Sequence, residues 1–112
     1  ADFTYHELSL MGLKCFLLYL EDEGCQHTHT ALFYQDNDKY YWFEWAWGQH
    51  EGIHGPFKSN DEVIELIAKK FKDQYHSLVI AVMGHGRIKS DMNEEDYIHM
   101  TNNWKNVLPK NL

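Results

Sequence analysis

Two histidines one residue apart, in "HTH" at His27 to His29, stand 15 residues before a carboxylate, Glu44, set among aromatics in "KYYWFEWAW". An imidazole held by a carboxylate has a fixed tautomer and a stabilised protonated form, so it suits general base and then general acid work. His29 and Glu44 are the candidate pair. Between them, "DNDK" carries turn chemistry, because Asn and Asp tolerate left-handed backbone and bond their own main chain. A turn centred on Asn37 and Asp38 sets Ala31 opposite Glu44. His29 then becomes a diagonal neighbour of Glu44 on the same side of the sheet, about 7 Å away between Cβ atoms. Ala31 is small enough to leave room for the two side chains to meet.

A base needs a nucleophile. The chain has two cysteines, Cys15 and Cys25. A reactive thiol requires an electropositive, partly exposed setting. Cys15 opens an apolar run and reads as packed, and Cys25 follows three acidic residues, which raise a thiol's pKa. Both remain candidate nucleophiles on residue type alone. His27, His29, His50, His54 and His85 raise the question of a metal, but the cysteines are not at ligand spacing. No metal and no cofactor are expected.

The elements that must position these groups follow from pattern. "KCFLLYL" (14–20) is a short, nearly continuous apolar run and reads as a buried strand. Residues 28–35 and 40–47 read as the two strands of a hairpin, and 77–83, "SLVIAVM", as a fourth strand. The segment 48–58, punctuated by Gly52, Gly55 and Pro56, reads as loop. "SNDEVIELIAKKFKD" predicts a helix: Ser59 or Asn60 caps it, Asp61 and Glu62 suit its N-terminal end, and Val63, Ile64, Ile67 and Phe71 share a face. A last helix is expected over 93–104 and a short helix or turn over 5–11. "GHGRIKSD" (84–91) reads as loop, although Arg87 and Lys89 among glycines could cradle an anion. The aromatics of 40–47 occupy both faces of their strand, which predicts a strand covered on both sides. The expected fold is α+β, an antiparallel sheet of about four strands with two or three helices.

The run "THT", "KYYWFEWAW" and "GIH" resembles the transglutaminase-like branch of the papain-fold cysteine hydrolases, and is most similar to its small bacterial and phage members. The resemblance covers about residues 14–71. It implies the sheet half of that fold, hydrolase or transferase chemistry on amide bonds, a protein or peptide substrate, His29 as base and Glu44 as the residue orienting it. Trp42, Trp47, His27 and His54 would line the site. In that family the nucleophilic Cys opens a helix several tens of residues before the His. Here 28 residues precede His29. The thiol is therefore expected from a segment outside these 112 residues or, failing that, from Cys15 or Cys25, and the chain alone is expected to be inactive.

Bulk composition bounds the alternatives. One domain spanning 1–112 is expected at this length, as a whole or as a piece of a larger hydrolase-like domain; the chain begins Ala-Asp-Phe without Met. With 17 acidic and 10 basic residues the net charge is −7, which disfavours nucleic-acid binding. No apolar run is long enough to span a membrane. Two cysteines and no leader suggest reduced thiols and a cytoplasmic protein. The second functional class is a non-catalytic, acidic, aromatic-rich module of phage or mobile-element type that binds a host protein.

Overall fold

The computed structural model describes residue 8, residues 10–84 and residues 93–108. The fold is α+β: one antiparallel sheet and one main helix. Among the described residues the strands are β1 (Lys14–Glu21), β2 (Thr28–Asp36), β3 (Lys39–Glu44), β4 (Gly52–Phe57), β5 (Ile80–Gly84) and β6 (Lys105–Asn106). The helices are α1 (Asn60–Tyr75) and α2 (Glu94–Thr101). The sheet order is β4-β3-β2-β1-β5-β6. The sheet has six strands rather than the expected four.

The two extra strands sit at the edges. β4 replaces part of the loop expected over 48–58; its glycines and Pro56 belong to an edge strand, where a missing N–H costs no ladder bond on the free side. The β3–β4 register shifts between Tyr40 and Trp42. There Gly55 adopts φ +136°, and a Cβ on it would lie 2.8 Å from the Tyr40 carbonyl oxygen, so no side chain fits. β6 follows α2, which ends at Thr101 rather than near Trp104. The fourth expected strand begins at Ile80, three residues later than the apolar run suggested. The expected turn over 5–11 lies mostly outside the described residues. So does the expected loop 84–91, with Arg87, Lys89 and His85, except for Gly84, which ends β5.

Helix α1 forms as its sequence demands. Ser59 is the N-cap: its backbone is extended and its Oγ accepts the Glu62 N–H at 3.2 Å, while the Glu62 carboxylate accepts the Lys58 N–H at 2.9 Å. The helix closes at His76, in left-handed conformation, whose N–H bonds the Lys72 carbonyl. Val63, Ile64, Ile67, Ala68 and Phe71 bury one face against Phe16, Leu18, Leu20, Ala31, Phe33, Trp42 and Ala81 of the sheet. Trp42, Phe33 and Phe71 are fully buried, each contributing about 2–3 kcal/mol by removal of apolar surface from water.

The opposite face carries a smaller cluster of Cys15, Leu17 and Leu32, with Leu8, Leu13, Tyr34, Phe43 and Trp104 over it. The Trp104 ring lies directly on Gly84: a Cβ there would sit 2.4 Å from the indole. On β3 only Trp42 and Glu44, on the α1 side, are buried; Tyr41 and Phe43 on the other face are half-buried, so the strand is not fully covered on both sides, contrary to expectation. Trp45, past its end, is 69% exposed and lies outside the core. No helix among the described residues is long and apolar enough to cross a membrane.

Candidate functional site

The hairpin register is the one expected from its turn. Asp36 opposes Lys39, Gln35 opposes Tyr40, and Leu32 opposes Phe43. That register brings His29 and Glu44 together on the α1 side of the sheet. His29 Nε2 lies 2.7 Å from Glu44 Oε1. The imidazole is 15% exposed and the carboxylate 3%. With Nε2–H donating to the carboxylate, the remaining ring nitrogen, Nδ1, carries the lone pair.

Glu44 is enclosed by donors. Its Oε1 also accepts the buried Trp42 indole N–H at 3.2 Å. Its Oε2 accepts three successive backbone N–H groups, from Trp45 at 2.9 Å, Ala46 at 3.1 Å and Trp47 at 3.2 Å. Successive N–H groups converging on an anion form a nest. This explains why β3 stops at Glu44 and not at 47: the side chain takes the N–H groups that a continuing ladder would need. Burial alone would raise the Glu44 carboxyl, but the hydrogen bond and charge of His29, with the N–H groups of Trp45 and Ala46, outweigh it and hold the pKa below the ordinary carboxylate value.

Trp47 borders the His29–Glu44 pair, and His54 lies behind Trp42, on strand β4 rather than in a loop. The Trp47 ring meets His29 edge-on at 5.1 Å between centroids and Trp42 at 6.3 Å. Its Nε1–H donates to Gln74 Oε1 of α1 at 2.7 Å. His54 stacks on Trp42 at 4.5 Å, and its Nε2–H donates to the His50 carbonyl. His50 turns its ring edge-on to Trp47 at 4.6 Å. Burial lowers the His50 pKa, with the Lys70 charge acting in the same direction. His50 and Gln74 were not singled out as site residues from sequence. Nothing in the spacing of Gln74 signals a role, since it acts from a helix across the core.

His27 does not join the His29–Glu44 pair. Its Nδ1 bonds Asp22 Oδ2 at 2.7 Å, its own N–H bonds Asp22 Oδ1 at 2.8 Å, and its ring stacks on Tyr75 at 4.3 Å. Asp22 is buried. Its pKa is lowered, first by the His27 backbone N–H and against the effect of burial.

Neither cysteine serves His29. Cys15 is buried on the opposite face of the sheet, because odd and even residues of β1 point to opposite sides. Cys25 is exposed in the 3₁₀ turn Glu23–Cys25, and its thiol is pushed up by a hydrogen bond to Glu21, by burial and by the charges of Glu21 and Asp22. That is the wrong direction for a nucleophile. Among the described residues, no three of His, Cys, Asp or Glu gather as metal ligands would.

Comparison with protein-family models, with curated proteins and with solved structures returned no match to this chain.

Proposed function

We propose that this chain carries the base-and-orienter half of a cysteine-hydrolase site of the transglutaminase and papain-like kind, acting on amide bonds of peptide or protein substrates. The observation that supports it is the 2.7 Å contact between His29 and a carboxylate that is buried and bonded through both oxygens. Glu44 holds the ring with Nε2–H inward, so Nδ1 is the working nitrogen. In the proposed reaction Nδ1 takes the proton of a thiol as sulfur bonds the substrate carbonyl carbon. The amide C–N bond then breaks, and the imidazolium returns the proton to the leaving amine. Water, or an amine, reacts with the thioester in the second half by the same proton path, and the thiol is restored. With Cys15 and Cys25 unsuited, the thiol comes from outside these 112 residues.

The test has two parts. Nitrogen-15 NMR of His29 should show Nε2 protonated and Nδ1 bare in the neutral ring; the opposite tautomer, or a freely averaging ring, overturns the reading. The purified chain should not turn over a fluorogenic amide. Turnover lost on His29→Ala would place the nucleophile within the chain instead. The free thiols of Cys15 and Cys25 are in keeping with a cytoplasmic setting.

A second reading, a non-catalytic module that binds a basic host protein, is favoured by one observation. Trp45 (69% exposed) and Ile53 (60% exposed) flank Phe43 on the face away from α1, in a chain of net charge −7. A salt-sensitive complex that is lost on Trp45→Ala and unchanged by His29→Ala would support it over the first.

A further inference from the structure

An open surface cleft of about 310 Å³, lined by the exposed Gln49, Asp73 and Gln74 and the half-buried His50 and Lys70, lies beside the dyad. Trp47 links the two. One part of its indole faces His29, another faces His50, and its Nε1–H is tied to Gln74. Burial and the Lys70 ammonium both disfavour the charged form of the His50 ring in the lining. The cleft and the dyad are therefore neighbours through one side chain.

The lining carries one charge of each sign. Lys70 and Asp73 are three residues apart on α1, a spacing at which side chains of opposite charge commonly meet. Among the described residues no ion pair joins them. The remaining polar groups are partly committed: Gln74 Oε1 accepts from Trp47, its Nε2 donates to the Tyr75 hydroxyl at 3.1 Å, and the His50 carbonyl accepts from His54. What the cleft offers a ligand is one ammonium and one carboxylate, with the amide of Gln49 and the ring of His50. A simple anion would gain Lys70 and be opposed by Asp73, and a simple cation would meet the reverse. A group bearing both charges close together satisfies both.

We propose that this cleft receives the zwitterionic α-amino-acid head group of an amide substrate, carboxylate toward Lys70 and ammonium toward Asp73. This rests on the acyl-transfer reading of His29 and Glu44, and narrows its substrate class from peptides in general to amides that carry a free amino-acid head.

The experiment uses the intact chain and three probes, L-alanine, N-acetyl-L-alanine and L-alaninamide, which at pH 7 are a zwitterion, an anion and a cation. Amide NMR shifts of Gln49, His50, Lys70, Asp73 and Gln74 are followed during titration. L-Alanine should shift them saturably, and each blocked probe should bind about tenfold more weakly, the loss of one charge-assisted contact. Lys70→Met should weaken L-alanine and N-acetyl-L-alanine but not L-alaninamide; Asp73→Asn should weaken L-alanine and L-alaninamide but not N-acetyl-L-alanine. Equal binding of all three probes, preference for a singly charged one, or no shift at all overturns the assignment. A His29 ring not held by Glu44, with zwitterion preference retained, removes the acyl-transfer reading alone. A held ring without zwitterion preference removes the cleft assignment alone.

Discussion

His29 Nε2 and Glu44 Oε1 are 15 residues apart in sequence and 2.7 Å apart in space, on the buried side of a hairpin whose turn alone sets their register. The contact is one of five hydrogen bonds on that carboxylate, two on Oε1 and three on Oε2. The pair is therefore an element of the fold as well as a candidate for chemistry, and the two roles separate by experiment.

Removing the carboxylate should cost stability. Glu44→Ala leaves the indole of Trp42 and three backbone N–H groups without their acceptor, which should lower unfolding free energy by about 3 kcal/mol. Glu44→Gln keeps one acceptor oxygen but turns an N–H₂ toward donors, and should fall between the two. Urea unfolding checks both; an Ala variant within about 0.5 kcal/mol of the parent, the range of an ordinary surface substitution, refutes the account.

Acid should destabilise the protein through the same group. The folded-state pKa of Glu44 is depressed below the unfolded value of about 4.3, so its contribution is fully present above that value and lost as pH falls through the folded-state pKa. Asp22 shifts in the same direction and adds to the loss. Urea midpoints measured from pH 7 to pH 3 should hold level and then drop below about pH 4.5. In Glu44→Gln the drop should be shallower. An identical slope in that variant means Glu44 is not the titrating group.

Gly84→Ala tests the second face of the sheet. The added methyl would meet the Trp104 ring at 2.4 Å, so the indole must leave. Overpacking of this kind costs about 2 kcal/mol. The Trp104 Nε1–H, buried without a partner, should then appear in NMR spectra as a solvent-exchanging indole proton. An unchanged midpoint and an unchanged indole resonance would show that the ring does not rest there.

Alkylation separates the cysteines. With its thiol pushed up by Glu21, Cys25 should react slowly with iodoacetamide at pH 7 and speed up only above the ordinary thiol range. Cys15 should be protected until the protein unfolds. Neither rate should change in His29→Ala. A fast thiol at neutral pH that slows in that variant would make it the partner of His29.

Much of this was legible from residue types and spacing. The Asn37–Asp38 turn fixed the hairpin register, and the apolar positions from Val63 to Phe71 fixed the buried face of α1, because both depend on contacts local in sequence. The capture of three N–H groups by Glu44 was not legible, because a carboxylate on an aromatic strand looks the same whether it faces solvent or folds back on its own chain. Strand β4 was hidden by Gly52, Gly55 and Pro56, residues that punctuate loops and edge strands alike. Gln74 and the Asp22–His27 pair could not be read either: Gln74 meets Trp47 across 27 residues, and Asp22 becomes a buried partner only once the β1–β2 connection has closed.

The nest around Glu44 also bears on how variants of this chain should be interpreted. One side chain both steers an imidazole and sculpts the bend where the aromatic strand ends. A descendant that had abandoned chemistry would still retain an acid at that position to keep its shape, so persistence of Glu44 alone is no sign of enzymatic descent. On the proposed reading, the working atom is His29 Nδ1, the ring nitrogen that does not bond Glu44.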